Sequence, residues 1–285
     1  MIAVTGATGH LGRLIVEALL ERGVPAGEIV AAARNPAKAE ELARRGVQVR
    51  QADYDRPETL ASAFEGVDRL VFVSGSEVGR RVAQHGNVVE AAKGAGVRLI
   101  AYTSILNADT TQILLAEEHK ATERLIRESG IPFVFLRNGW YLENYTPLIP
   151  QALERGELVG SAGEGRVSAA ARADYAAAAA VVVTSEGHEN RAYELGGDEA
   201  FTMAEFAEEI SRQSGRRVVY RNLPAEEYVQ VLVGAGVPEP YARALADSDL
   251  GIERGELYTD SRDLSRLIGR PTTSLREAVA AALGR

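Results

Sequence analysis

This 285-residue chain predicts an α/β fold, a doubly wound parallel sheet with a smaller, mostly helical C-terminal lobe. Three observations carry that expectation. Short apolar runs rich in β-branched residues alternate with helix-period stretches through the first half. A glycine-rich turn separates the first such run from the first helical stretch. Beyond Asn138 the rhythm changes: Pro and Gly become frequent and helical stretches dominate.

The apolar runs place strands at 2–5, 29–33, 47–51, 70–74, 99–103 and 133–137. Leu11, Ile15 and Leu19 recur at i, i+4, i+8 and form the stripe of a first helix. Val88, Ala91 and Ala92 mark another, stopped by Gly94 and Gly96. Leu114, Leu115, Leu125 and Ile126 mark a third, which ends before Gly130-Ile131-Pro132. Near-continuous apolar strands joined by helices imply a sheet covered on both faces. Later, weaker strands are expected at 166–171, 193–195 and 218–220, with helices at 203–213, 225–233 and 275–283. Residues 1–140 are therefore read as a nucleotide-binding domain with returning segments at about 165–197. Residues 141–164 and 198–285 are read as the smaller lobe.

Composition narrows the partners. Hydrophobic residues at 46% and charged residues at 25% suit a globular chain and exclude disordered, collagen-like and coiled-coil classes. A net charge of -8 repels a phosphate backbone, so no nucleic-acid partner is expected. Cys is absent, which removes disulfides, thiolate nucleophiles and iron–sulfur clusters. The four His are scattered without ligand spacing, so no metal is expected. The longest apolar run, 176–183, is under half of the ~20 residues a membrane helix needs. It reads as a buried Ala-rich helix, and no membrane insertion is expected. With no targeting segment visible, the expected location is the cytoplasm. A homodimer is compatible with these features, and the sequence does not fix the assembly.

The turn at residues 5–12 reads Thr-Gly-Ala-Thr-Gly-His-Leu-Gly, a G-x-x-G-x-x-G pattern on Gly6, Gly9 and Gly12. Gly6 permits the tight turn, Gly9 lets backbone approach a pyrophosphate, and Gly12 packs helix against sheet, the Rossmann logic. Ala7, Thr8, His10 and Leu11 complete the cradle, where the helix N-terminus favours phosphate. At the end of the second strand an NAD site has Asp or Glu for the ribose 2′-hydroxyl. This chain has Arg34 there, with Lys38 just beyond, so cations meet a 2′-phosphate and NADPH is expected over NADH. The alternative for Lys38, and less so for Arg34, is a solvated helix-start charge. Ligands gather at the C-terminal ends of such strands. Further contacts are therefore expected from Asp53 beside Tyr54, from Ser74, Gly75 and Ser76, and from Thr103 and Ser104. Each also suits a loop-capping role.

The pattern resembles the short-chain dehydrogenase/reductase superfamily, whose classical members carry Tyr-x-x-x-Lys after the fifth strand. None of the 10 Tyr here has Lys four residues on. With His119 in the Lys position, Leu115 takes the Tyr position, and Leu cannot shuttle a proton. Within that superfamily the chain resembles the NmrA-like group, and in it the flavin-free bacterial NADPH:quinone oxidoreductases and triphenylmethane reductases. The stretches that carry the likeness are 5–12, 33–39, 51–54, 76–79, 101–104, 137–141 with 143–145, 172–175, 246–249 and 267–269.

The resemblance implies NADPH held by the glycine turn and Arg34. It also implies direct hydride transfer to a quinone-like aromatic acceptor, with no flavin and no metal. It places the loop after the sixth strand beside nicotinamide and acceptor. There Gly139 permits close approach, Trp140 and Tyr141 offer flat faces, and Asn138 and Asn144 offer amide hydrogen bonds. Asn144 matches a functional position of the family and is assigned to orient or polarise the acceptor. Trp140 serves equally as a packed core residue. His119 either contacts the nicotinamide ribose, donates a proton near neutral pH, or pairs with Glu123 one turn on. Arg172 opens the helix after the returning strand and joins the cofactor set, with Asp174 a first-turn carboxylate. Two other readings stay open: an NmrA-like redox sensor that binds the cofactor without turnover, and a reductase of triphenylmethane-type acceptors.

Overall fold

Residues 1–284 are described in a computed structural model. In chain order the elements are β1 (Ile2–Thr5), α1 (His10–Glu21), β2 (Ile29–Ala33), α2 (Glu40–Arg44), β3 (Gln48–Gln51), α3 (Pro57–Ala63) and β4 (Arg69–Phe72). Then come α4 (Arg81–Gly94), β5 (Leu99–Ile105), α5 (Ala116–Ser129), β6 (Phe133–Asn138), α6 (Ile149–Arg155), β7 (Glu157–Gly160), α7 (Arg172–Thr184) and β8 (Arg191–Leu195). The chain continues through α8 (Met203–Ser214), β9 (Val219–Asn222), α9 (Ala225–Gly234), α10 (Glu239–Glu253), α11 (Asp263–Ile268) and α12 (Leu275–Ala282).

A seven-stranded sheet runs in the order β3-β2-β1-β4-β5-β6-β8. The pairs from β3 across to β6 are parallel, with Ile2 beside Ile29 on one flank and beside Arg69 on the other. The expected doubly wound parallel sheet is what forms. Strand order reverses between β1 and β4, which puts the ligand crevice at their C-terminal ends.

The six early strands form where the sequence predicted; β1, β2, β4, β5 and β6 are parallel strands buried on both faces, while the edge strand β3 is only partly buried. Successive residues point to opposite sides. On one side Ala3, Val30, Leu70, Phe72, Ile100, Tyr102 and Phe135 pack with Leu60 and Phe64 of the α3 segment, Val88 and Ala92 of α4, and Ile126 of α5. Ile15, Val16 and Leu19 of α1 are buried in turn, and α1 packs along α7. The small residues Ala176, Ala179 and Ala180 let two helices approach closely, so the Ala-rich run is a buried helix as expected. Leu114 and Leu115 fall just before α5 rather than inside it. The Leu114 N–H is bonded to Asp247 Oδ2 at 2.7 Å, which holds that turn out of the helix.

Two compact units result. The first comprises Met1–Ile105, Glu118–Asn138 and Arg172–Tyr193. The second comprises Leu106–Glu117, Gly139–Ala171 and Glu194–Arg285. This corrects the expected boundaries at 106–117, 139–140, 165–171 and 194–197, all of which fall in the second unit. The predicted strand at 166–171 is not a strand. Its backbone is shared among several partners: Val167 N–H bonds the Phe201 carbonyl, Ser168 N–H that of Leu257, and Ala170 N–H that of Trp140. No single ladder can form from such pairing, and only isolated bridges remain.

In the second unit β7 and β9 form a separate parallel pair, Glu157 beside Val219 through Gly160 beside Asn222. Its core gathers Leu142, Ile149, Leu158, Phe201, Phe206, Ile210, Ile252 and Val279. Thr202 and Ser274 start α8 and α12 through reciprocal bonds with Glu205 and Glu277, sealing two otherwise orphaned helix ends. β7, α6, α10 and α11 form where the pattern predicted no element.

Candidate functional site

The turn after β1 is closed by backbone. Gly6 has φ +58°, and the Gly9 N–H donates to its carbonyl at 2.8 Å. A Cβ at Gly12 would lie 2.2 Å from the Gly6 oxygen and 3.1 Å from Ala7 Cα. Only glycine fits there, because α1 lies directly against the turn. The first α1 bond runs from Arg13 N–H to the Gly9 carbonyl at 3.0 Å. The N–H groups of residues 10–12 therefore have no partner inside the helix. The first turn carries no carboxylate and no side-chain cap, so nothing anionic competes for that end. Ala7 is buried, with its N–H on the Ala32 carbonyl.

In front of this turn lies a cavity of about 420 Å³, lined by Gly6, Thr8, Gly9, His10, Leu11, Gly12, Arg34, Asp53, Tyr54, Ser74, Gly75, Ser76, Glu77 and Gln84. The size suits part of an elongated ligand. The cradle that a Cβ would fill, the uncapped helix end and Arg34 together fit a phosphorylated dinucleotide.

The cavity wall is pinned from behind. Thr5 Oγ1 accepts from Val73 N–H at 3.0 Å, and the Tyr54 hydroxyl lies 2.7 Å from both Thr5 Oγ1 and the Val73 carbonyl. Burial pushes that phenol well above its ordinary value, so it stays neutral. Thr103 Oγ1 accepts from Ser74 N–H at 2.9 Å, and His85 Nε2 accepts from Gly75 N–H at 2.9 Å. That contact fixes the His85 tautomer: the proton sits on Nδ1, 2.8 Å from Thr122 Oγ1, and Thr122 donates onward to the Glu118 carbonyl at 2.7 Å. Burial, with Arg81 nearby, pushes His85 down to about 3. Glu118 Oε1 holds the Gly79 N–H at 2.9 Å. His85, Gln84 and Glu77 escaped the reading of the sequence. The signal for His85 was present: residues 85, 88, 89 and 92 form the buried stripe of α4, with a histidine at its N-terminal end.

Several expected residues stand elsewhere. Thr103 and Ser104 are buried and do not line the cavity. Thr103 supports Ser74, and the Ser104 hydroxyl donates to Glu123 Oε1 at 2.7 Å. Asp53 accepts from Asp55 N–H at 3.1 Å, a turn bond, while also lining the cavity. Lys38 is exposed in a short turn capped by Asn35 and does not line it. Arg34 lines it, with Nη1 3.0 Å from Glu77 Oε1.

His119 is corrected on two counts. It is buried, with Nδ1 2.8 Å from the Tyr102 hydroxyl and Nε2 3.5 Å from Arg81 Nη1. Burial and then Arg81 push it down to about 3, so it is neutral and no cationic acid near pH 7. Nor does it pair with Glu123. That carboxylate takes Arg137 in two-pronged fashion, Oε1 to Nε at 3.0 Å and Oε2 to Nη2 at 2.8 Å. Both partners are almost fully buried.

At the end of β6, Asn138 is buried with its Oδ1 lacking any hydrogen-bond partner, an acceptor left over for a ligand. Arg172, half-buried, opens α7. In the second unit the Gly139 N–H bonds the Leu195 carbonyl at 2.7 Å, and Tyr141 bridges Ala170. Trp140 is half-buried against that unit's core, and Leu115 packs on the same core. Asn144 ends a short turn, Leu142–Asn144, and is exposed. Among the described residues no group of His, Asp and Glu is placed to hold a metal ion, and no helix is long and apolar enough to cross a membrane.

The NmrA-like family profile matches residues 1–276. Quinone oxidoreductase 2 of Escherichia coli (strain K12) is 52% identical over 280 residues, 98% of each chain. A crystal structure of an NADPH-dependent quinone oxidoreductase from Escherichia coli complexed with NADPH superposes with TM-score 0.97, at 52% identity, covering 99% of this chain and 100% of that one. The Citrobacter sp. triphenylmethane reductase complexed with NADP(H) superposes with TM-score 0.95, at 45% identity, covering 99% and 100%.

Proposed function

The chain belongs to the NmrA-like family, and from that premise we propose that it is an NADPH-dependent quinone reductase, passing hydride directly to a quinone without flavin or metal. The observation that carries this reading is the glycine cradle with Arg34, and no carboxylate, at the end of β2, in a chain half identical to a protein crystallised with NADPH. NADPH, when bound, supplies the hydride.

The chain's own groups then have separable tasks. The N–H groups at the start of α1 hold pyrophosphate. Arg34, with Lys38 nearby, holds the 2′-phosphate. Asp53 and Tyr54 flank adenine, and the 74–76 backbone passes beside ribose. The buried Asn138 oxygen accepts from the carboxamide end of the cofactor. Gly139 and Arg172 are assigned to cofactor binding through the family resemblance alone. Tyr141 and Asn144 are assigned to the acceptor. A hydrogen bond aimed at the quinone oxygen stabilises the negative charge that develops there as hydride arrives.

The hydroquinone anion takes its proton from water. His119, buried and neutral, is not that source, and Leu115 has nothing to give. A quinone needs no protein acid at this step, because its reduction is driven by its own electron deficiency. The overall change is NADPH, quinone and one proton to NADP⁺ and hydroquinone. A cytoplasmic location belongs to the same reading, and cell fractionation tests it.

The test is direct. NADPH absorbance, followed with a simple quinone and no added flavin, should fall steadily, and faster than with NADH. Saturable NADPH binding with no consumption across a series of quinones would leave a cofactor-binding sensor instead. The likeness to the Citrobacter enzyme favours a second acceptor class, triphenylmethane dyes, read by decolourisation in the same assay.

A further inference from the structure

Around Arg34 the cavity holds an anion of the protein's own. Glu77, on the segment between β4 and α4, puts Oε1 3.0 Å from Arg34 Nη1 and Oε2 2.9 Å from Arg80 Nη1. Arg80 Nη2 in turn lies 2.8 Å from Asp55 Oδ1, and Gln84 Nε2 lies 3.3 Å from Glu77 Oε2. The Glu77 carboxylate thus sits between two guanidiniums, the arrangement a phosphate takes. Two cations and two carboxylates leave the cluster without net charge, so an arriving phosphate dianion meets a cation already satisfied. Arg34 and Glu77 are 71% and 36% exposed, so the pair is held weakly enough to open. The backbone around Glu77 is fixed, with Gly75 on His85 and Gly79 on Glu118. Its side chain can therefore swing to Arg80 alone while the cavity keeps its wall.

We infer that Glu77 is a specificity-determining residue: its carboxylate occupies Arg34 until a 2′-phosphate replaces it, so NADPH binds by exchanging one anion for another. NADH, which brings no such phosphate, leaves the pair intact. Glu77 thereby lowers affinity for the phosphorylated cofactor alone. The inference rests on Arg34 as the reader of the 2′-phosphate, and the experiment separates the two.

Dissociation constants for NADPH, NADP⁺ and NADH, from calorimetry or from nucleotide fluorescence where the reduced form allows it, are compared across the parent, Glu77→Gln, Arg34→Ala, the double variant, and Asp55→Asn as a charge-matched control. Glu77→Gln should bind NADPH and NADP⁺ roughly two- to fivefold more tightly, the range an exposed ion pair allows. NADH should stay within about twofold. The gain should vanish in the Arg34→Ala background, as a double-mutant cycle demands of coupled groups. Asp55→Asn, which removes the same charge without touching Arg34, should tighten NADPH less than Glu77→Gln does.

An unchanged or weakened NADPH affinity in Glu77→Gln, with Arg34→Ala weakened as expected, overturns the role of Glu77 and leaves Arg34 in place. Equal tightening of NADPH and NADH, or an equal gain in Asp55→Asn, reduces the effect to bulk charge and also overturns it. NADPH affinity untouched by Arg34→Ala removes Arg34 as the reader, and the exchange with it.

Discussion

Asn144 and Arg34 make demands of opposite kinds, one on the rate and one on the cofactor. Asn144 is exposed in a short turn and is assigned to the acceptor oxygen. Asn144→Ala should lower kcat by about 10- to 100-fold while the NADPH dissociation constant holds within about twofold. Steady-state rates set beside a binding titration decide this, and equal losses in both would move Asn144 into the cofactor site. Arg34→Glu should weaken NADPH at least about tenfold and tilt the preference toward NADH, since a carboxylate repels the 2′-phosphate and accepts from a 2′-hydroxyl. An unchanged NADPH/NADH ratio of kcat/KM would release Arg34 from that role. The turn of Gly6, Gly9 and Gly12 was legible in the sequence because its requirements are local, a positive φ at Gly6 and a missing Cβ at Gly9 and Gly12, whereas the assignment of Asn144 came from family resemblance alone. The state of His119 was not legible. Its neutrality comes from burial, then from Arg81 and His85, which the chain brings from another helix. The helical spacing that suggested a pair with Glu123 cannot show that Arg137 of a neighbouring strand reaches that carboxylate first.

One buried ion pair ties three elements of the first unit together. Glu123 on α5 takes Arg137 of β6 through two bonds and Ser104 of β5 through a third. A buried pair stripped of one partner leaves a charge without compensation, so Glu123→Ala should destabilise the unit by about 3–5 kcal/mol. Urea denaturation followed by a probe in β5 or β6 measures this, and a loss under about 1 kcal/mol would place the pair in contact with solvent. Strands covered on both faces were readable because continuous apolar runs have few other uses. The 166–171 segment misled for the same reason: its apolar residues are buried, yet its backbone is divided among several partners. α10 was missed because it buries small residues, Ala242, Ala246, Ser248 and Gly251, which leave almost no hydrophobic period. β7, four residues ending in glycine, is too short to stand out.

Across the whole molecule, mild acid acts on two buried histidines of the first unit and on one buried carboxyl of the second in opposite directions. His85 and His119 of the first unit are neutral when folded and titrate near their ordinary 6.5 when unfolded. Below pH 6.5 the unfolded chain binds more protons. The stability these rings supply is whole above that pH and is lost as the pH falls toward about 3, at up to ~1.4 kcal/mol per pH unit for each ring. Asp249 of the second unit runs the other way: burial raises its carboxyl to about 6 from an ordinary 3.8, so its folded form takes the proton first and gains stability as the pH falls between those values. Amide exchange, corrected for intrinsic rates, should therefore show β4 and β5 losing protection between pH 7 and pH 5 while β7 and β9 hold or gain. Unaltered protection in β4 and β5 would mean that the two histidines are charged or exposed.

The strand order carries a consequence for biosynthesis. β1 is the earliest strand made, yet in the sheet it lies between β2 and β4, with Ile2 beside Arg69. Until β4 has left the ribosome, one flank of β1 has no neighbour, and Val73, which seats Thr5 at the mouth of the cradle, has not been synthesised. Such pairing between distant stretches is slow and exposes an unpaired edge while it waits. A nascent chain from which β4 has not yet emerged therefore presents a sticky border to chaperones, whereas one from which β5 has emerged can already have zipped five strands shut.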